Sequence, residues 1–205
     1  MLKGRIYRVT EKAILKASKI IREGGLVVYP TDTVYGLGCD PMNVSAVRRL
    51  LRVKERRDKP LPILGSSIEH IEKIAELTEI ARIIAQHFWP GPLTIIVKKR
   101  EKLPELVTAG LDNVGVRIPN HTVSLKLIEL SGSLIIGTSA NKSGMESPKN
   151  VFSAYRQLGD EVDMYLDGGE SRGGTPSTVV DLTSPKPRIV REGPITMKQI
   201  MKAIC

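Results

Sequence analysis

The chain of 205 residues is poor in cysteine, histidine and aromatic side chains, and each shortage removes a class of protein. Two cysteines, Cys39 and Cys205, supply neither a disulfide framework nor a cysteine-rich zinc site, and they fit a reducing cytoplasm. The histidines, His70, His87 and His121, are too scattered to suggest a metal cluster, so no metal ligand set is identified. Aromatic residues are 4% of the chain, a thin stacking platform for a dedicated single-strand nucleic-acid binder. Apolar runs such as Leu26 to Tyr29 and Leu134 to Ile136 are far too short to span a bilayer. The start, Met1-Leu2-Lys3-Gly4-Arg5, lacks the apolar run of a secretory signal. Internal repeats, low-complexity tracts and Pro/Ser-rich linkers are missing too, so one compact domain over 1–205 is expected.

What the chain does have is positive charge and a regular alternation of patterns. A formal charge of +9 attracts anions, whether nucleic acid or nucleotide phosphates. Thr10 can cap a helix from Glu11 to about Glu23 that carries Ala13, Ile14, Ala17, Ile20 and Ile21 on one face. Asn43 can cap a second helix through Val53. Further helices are expected near Ser67 to Glu76, Thr78 to Phe88, Thr122 to Leu130, 150 to 158, and from about Thr196. Strands are expected at Leu26 to Tyr29, Leu61 to Leu64, Leu93 to Lys98, Val114 to Ile118, Leu134 to Gly137, Met164 to Leu166, Ser177 to Leu182 and Arg188 to Arg191. Strands interleaved with helices imply an α/β chain with a mixed parallel and antiparallel sheet flanked by helices.

Polar groups cluster where strands end, the usual place for chemistry in such folds. Pro30 ends the first strand and leaves Thr31, Asp32 and Thr33 for solvent or ligand, or simply for a well-made turn. Lys54-x-Arg56, with Arg57 and Lys59 behind, gathers cations at a helix end. One or two of them would satisfy the helix dipole, whereas a polyphosphate would use the whole group. Thr138-Ser139-Ala140-Asn141 offers hydroxyls and an amide for phosphate oxygens or a base edge, or for an ordinary Ser/Asn turn. Arg117 stands alone in an apolar strand, where its planar fork suits a carboxylate and a half-exposed strand face is the plainer explanation. Pro176-Ser177-Thr178 and Arg191-Glu192-Gly193-Pro194 follow the same pattern. Neither G-x-x-x-x-G-K-[ST] nor a nucleophilic-triad motif occurs, and Gly36-Leu37-Gly38 lacks the third glycine of a dinucleotide fingerprint.

In order and spacing these segments resemble the YrdC-like family of threonylcarbamoyl-AMP synthases over nearly the whole chain. Tyr29-Pro30-Thr31-Asp32-Thr33-Val34-Tyr35-Gly36-Leu37-Gly38 is similar to the family's opening motif, and Lys54-x-Arg56 with Ser139-x-Asn141 to its basic and polar tetrad. Trp89-Pro90-Gly91-Pro92-Leu93-Thr94, Thr108-Ala109-Gly110-Leu111-Asp112, Val116-Arg117-Ile118-Pro119, Ser177-Thr178 and Arg191-Glu192-Gly193-Pro194 resemble further blocks.

The resemblance implies a twisted mixed sheet with a basic concave cavity. It also implies synthesis of threonylcarbamoyl-AMP and pyrophosphate from L-threonine, bicarbonate and ATP, with Mg²⁺ accompanying ATP, for threonylcarbamoylation of tRNA adenosine 37. By that analogy Thr31, Arg117 and Ser177 hold threonine, with Arg117 on its carboxylate. Lys54, Arg56, Asn113, Ser139, Asn141, Ser147 and Arg191 hold the nucleotide, and Lys54 and Arg56 act on its phosphates. Two departures stand out: the segment after Arg56 is one residue shorter than the common pattern, and Gly65 stands where many members have a histidine near threonine. The chain ends near Cys205 without the further domain of longer relatives, as in the single-domain type.

The rival reading is a YciO-like paralogue that binds tRNA or double-stranded RNA without this synthesis. A riboflavin-pathway synthase shares the fold, but its acidic metal-binding motif is not evident here. Partner proteins of tRNA modification are expected; a membrane is not.

Overall fold

A computed structural model of the chain describes residues 4–56, 59–100 and 102–204. Arg57 of the expected cation cluster, the segment Met1-Leu2-Lys3 and Cys205 lie outside them.

The strands are β1 (Ile6–Arg8), β2 (Val27–Tyr29), β3 (Gly36–Gly38), β4 (Ile63–Gly65), β5 (Leu93–Lys98), β6 (Asn113–Arg117), β7 (Leu134–Ile136), β8 (Thr138–Ser139), β9 (Met164–Asp167), β10 (Thr178–Asp181) and β11 (Arg188–Arg191). The helices are α1 (Glu11–Arg22), α2 (Val44–Val53), α3 (Ile68–Glu72), α4 (Glu79–Phe88), α5 (Glu105–Thr108), α6 (Thr122–Leu130), α7 (Val151–Leu158) and α8 (Met197–Ile204). Local chemistry starts them as expected: Thr10 Oγ1 accepts from Ala13 N at 3.1 Å, and Asn43 Oδ1 accepts from Ala46 N at 3.0 Å. Each cap is followed by an apolar stripe that is buried, Ala13, Ile14, Ala17 and Ile21 on α1, and Ala46, Val47, Leu50 and Val53 on α2.

The mixed α/β class holds, with one refinement. The strands form two mixed sheets, in the orders β1-β9-β2-β3-β8 and β11-β10-β5-β6-β4-β7, where one had been expected. The division falls at Gly137, where the chain leaves β7 in one sheet and enters β8 in the other. A Cβ at Gly137 would lie 2.2 Å from Leu64 Cγ, so only glycine lets the crossing chain press against β4. Ile136 N donates to Cys39 O at 2.9 Å and Gly137 N to Pro62 O at 2.9 Å, which ties the sheets together at this corner.

Alternation along β2 serves two cores. Val28 faces the larger apolar cluster, while Val27 and Tyr29 face a smaller one shared with α1 and α6. The fully buried ring of Tyr29 lies across β3, where a Cβ at Gly36 would stand 2.9 Å from its Cζ and one at Gly38 2.9 Å from its Cε1. Gly36-Leu37-Gly38 is therefore a strand shaped around an aromatic ring.

Candidate functional site

A cavity of about 560 Å³ opens over one face of the six-stranded sheet and is closed on its far side by β3, β8 and the loop after α2. Its floor follows from strand periodicity: Thr94 and Ile96 of β5, and Asn113, Gly115 and Arg117 of β6, alternate toward it. Five cations line it, Lys54, Arg56, Lys59, Arg117 and Arg191, and its described lining contains no carboxylate. An anion is the natural complement.

Each cation is held differently. Arg117, 6% exposed, donates from Nε to Gly91 O at 2.8 Å, from Nη1 to Thr33 Oγ1 at 3.1 Å and from Nη2 to Asp32 Oδ1 at 2.5 Å. With five N–H groups on a guanidinium, two remain for a ligand. The Thr33 contact propagates along the loop. Thr31 Oγ1 donates its one proton to Val34 O at 2.6 Å, so in its 3.0 Å contact with Thr33 it accepts and Thr33 Oγ1 donates. The run of polar groups after Pro30 is thus a polarised chain that fixes Arg117.

Lys54 is 2% exposed at the end of α2 and reaches across the cavity wall. Its Nζ donates to Ser139 O and, at 2.6 Å, to Asn141 O. Burial, helped by the neighbouring Arg56 charge, pushes its ammonium down to about 7. Arg56 donates from Nη2 to Pro60 O at 2.8 Å, while its buried Nε has no partner among the described residues. Asn141 likewise donates to Lys142 O and Met145 O, both at 2.8 Å, and its buried Oδ1 is unpartnered. Both atoms are buried, on residues that line the cavity. Arg191 donates from Nε and Nη2 to Ser177 O, at 3.0 and 2.7 Å, and from Nη2 to Ser177 Oγ at 3.0 Å. Burial lowers all three guanidinium pKa values, and the charges of Arg117 and Arg56 lower Arg191's further. Arg191 thus feels the charge of both other guanidiniums, an arrangement that an anion would relieve.

The family model for Sua5, YciO and YrdC proteins, described as "Telomere recombination", matches residues 19–193. The chain belongs to the Sua5/YciO/YrdC family. Threonylcarbamoyl-AMP synthase of Pyrococcus abyssi is 44% identical over 96% of this chain and 58% of its own length. The crystal structure of P. abyssi Sua5 complexed with L-threonine superposes with a TM-score of 0.93 at 43% identity, covering 98% of this chain and 59% of that one. The present chain thus spans less than two thirds of these longer relatives. Threonylcarbamoyl-AMP synthase of Pseudomonas aeruginosa is 38% identical over 82% of this chain and 91% of its own length. Escherichia coli YciO has a TM-score of 0.89 at 26% identity, covering 96% of this chain and 99% of its own.

Of the residues expected from the family motifs, Thr31, Lys54, Arg56, Asn113, Arg117, Ser139, Asn141, Ser177 and Arg191 all line the cavity. Ser147 does not. Asn141 folds the loop back at Met145, and Pro148 O accepts from Tyr35 N at 2.9 Å, leaving Ser147 half-buried between the two ties. Gly65 also lies outside the lining, packed so that a Cβ would meet Ile71 Cγ1 at 2.6 Å. Sequence reasoning left Asp32 undecided between loop and ligand; here it is the ion-pair partner of Arg117. Thr94, a hydroxyl on the inward face of β5, ends the Trp89-to-Thr94 block but is given no role by the sequence; it lines the cavity.

Proposed function

We propose that this chain is a threonylcarbamoyl-AMP synthase, a nucleotidyltransferase acting on L-threonine, bicarbonate and ATP. The observation that carries the reading is the cationic cavity lined by Arg117, Arg56 and Arg191, whose described lining holds no carboxylate. A volume of about 560 Å³ suits a nucleotide with an amino acid beside it. The relative from P. abyssi that carries L-threonine supports the amino-acid half of the assignment.

The chemistry needs no protein nucleophile. Threonine's ammonium and bicarbonate give the carbamate, water and a proton: the N–C bond forms as a C–O bond of bicarbonate breaks. A carbamate oxygen then attacks the α-phosphorus of ATP, the bond to the β-phosphate oxygen breaks, and pyrophosphate leaves. The protein's task is to bring together partners that repel one another, and holding them in register replaces much of the entropy of their encounter. Arg117 takes the threonine carboxylate with its two remaining N–H groups. Arg56 and Arg191 face the phosphates and offset the charge that builds on the leaving pyrophosphate. Lys54 adds its field, and through Ser139 O and Asn141 O it fixes the turn that presents Ser139 and Asn141 to the nucleotide, with Asn113 on the floor below.

Mg²⁺ is expected to enter with ATP. Among the described residues no group of three His, Cys, Asp or Glu side chains comes together, so the ion would be held through phosphate oxygens and water. The product would serve tRNA modification with partner proteins. A cytoplasmic location is part of this proposal; no helix among the described residues is long and apolar enough to cross a membrane.

Chromatography of protein mixed with ATP, L-threonine and bicarbonate, each omitted in turn, tests the reading. A new adenylate that needs all three is the expected result; an adenylate formed without threonine refutes it. Salt-sensitive duplex-RNA binding with no turnover would favour the YciO-like alternative.

A further inference from the structure

The reaction has three substrates, and two of them have obvious holders. Nothing so far receives bicarbonate, the smallest and least distinctive of the three. Its carbon must end up between threonine's amine and the α-phosphorus, and so between Arg117 on the amino acid and Arg191 on the nucleotide.

The sheet register fills that interval. Arg191 on β11 is paired with Val179 on β10, and Val179 with Thr94 on β5. Ile95 is paired with Val116 on β6, so the next step of the same register sets Thr94 beside Arg117. Ser177, two residues before Val179, faces the same side. The hydroxyls of Ser177 and Thr94, 4% and 5% exposed, therefore stand between the two arginines on the cavity floor.

Their hydrogen bonds leave a donor over. Ser177 Oγ and Thr94 Oγ1 are 2.8 Å apart, and Ser177 Oγ also accepts from Arg191 Nη2 at 3.0 Å. Two hydroxyls carry two protons, and the bond between them uses one. If Ser177 donates to Thr94, the Thr94 proton has no acceptor among the described residues; if Thr94 donates, the Ser177 proton has none. A buried hydroxyl proton beside an arginine calls for an anionic acceptor. A group of that size next to the threonine amine is the planar carboxylate of bicarbonate and of the carbamate made from it.

We propose that Thr94, Ser177 and Arg191 form the bicarbonate and carbamate subsite. This rests on the synthase reading above and deepens it. Ser177, assigned to threonine by family resemblance, then meets the N-carboxylate of the carbamate, and Arg191 bridges that group and the phosphates. Thr94 is the new binding residue.

The test uses Thr94→Val, which keeps the β-branched shape without the hydroxyl, and Thr94→Ser, which restores it, in bicarbonate-depleted buffers. Loss of a charge-assisted hydrogen bond should raise the apparent KM for bicarbonate about ten- to a hundredfold, with the KM values for threonine and ATP unchanged. Thr94→Ser should return it close to the wild-type value. An unchanged bicarbonate KM in a folded Thr94→Val protein overturns the subsite, as does an equal rise in all three KM values or a failure of serine to restore it. Should valine unfold the protein, Ser177→Ala carries the same expectation for bicarbonate. Wild-type protein that makes no threonylcarbamoyl-AMP would instead sink the synthase reading, and the subsite with it.

Discussion

Lys54 offers the sharpest quantitative test, because its ammonium is buried at 2% exposure and pushed from an ordinary 10.5 down to about 7. Below pH 7 both folded and unfolded chains carry the proton, and the full cost of burying the charge is present. Between 7 and 10.5 the folded chain binds fewer protons than the unfolded one, so this group makes stability rise with pH across that window. The whole interval is worth about 5 kcal/mol at 1.36 kcal/mol per pH unit, of which about 3–4 kcal/mol falls between pH 7 and pH 10. The bonds from Nζ to Ser139 O and Asn141 O favour the ammonium, so this is a ceiling. Lys54→Met keeps the length and removes the titration. Urea unfolding of both proteins from pH 7 to 10 should show the wild type gaining up to that amount relative to the variant, other titrations cancelling in the difference. A difference that is flat or falls with pH refutes a lysine tuned by burial. The same proton links to ligand: an anion in the cavity favours the ammonium, so pyrophosphate should bind wild-type protein with proton uptake near pH 8, measured by calorimetry in buffers of different ionisation enthalpy.

Three other perturbations read separate parts of the site. Asp32→Asn leaves the buried Arg117 guanidinium without its carboxylate, the two side chains being 14% and 7% exposed. It should cost about 2–4 kcal/mol in chemical denaturation, with a coupling of similar size in a double-mutant cycle with Arg117→Met; additive effects would deny the pairing. Arg56→Lys keeps the charge but loses the planar fork of the guanidinium, and should weaken pyrophosphate binding about tenfold by calorimetry; an unchanged affinity would deny Arg56 a bidentate hold on the phosphates. Gly38→Ala puts a Cβ 2.7 Å from Ile136 O and 2.9 Å from the Tyr29 ring, and should lower stability by about 1–3 kcal/mol. A melting temperature equal to the wild type's would mean that β3 relaxes freely.

Local chemistry made much of the fold legible. Thr10 and Asn43 cap the helices their neighbours suggested, and the apolar stripes of α1 and α2 are the buried ones. Where the reading fell short, the cause is long-range. Gly36 to Gly38 has poor strand propensity and pairs as β3 because Tyr29 lies over it. The helix expected through Glu76 stops at Glu72, where Lys73 N and Ile74 N turn back to His70 O and Ile71 O, at 3.3 and 3.0 Å, and Glu76 N instead donates to Lys98 O beside β5.

The site divides along the same line. That Lys54, Arg56, Arg117 and Arg191 enter one cavity was readable from residue type and position at strand and helix ends. Which of their N–H groups are left for a ligand was not, because for Lys54 and Arg117 partners that occupy the rest come from afar. Lys54 bonds to carbonyls 85 and 87 residues away, Arg117 to Asp32 85 residues away, and Thr94 to Ser177 across 83. All four cations bond to backbone carbonyls as well as lining the cavity: Lys54 to Asn141 O, Arg117 to Gly91 O, Arg191 to Ser177 O and Arg56 to Pro60 O. Those bonds hold mutually repelling charges at fixed positions before any substrate arrives. Preorganisation of this kind lets a cavity act on developing negative charge without reorganising at the moment of reaction. On that argument, substitutions that loosen the carbonyl anchors should depress turnover more than they weaken substrate binding.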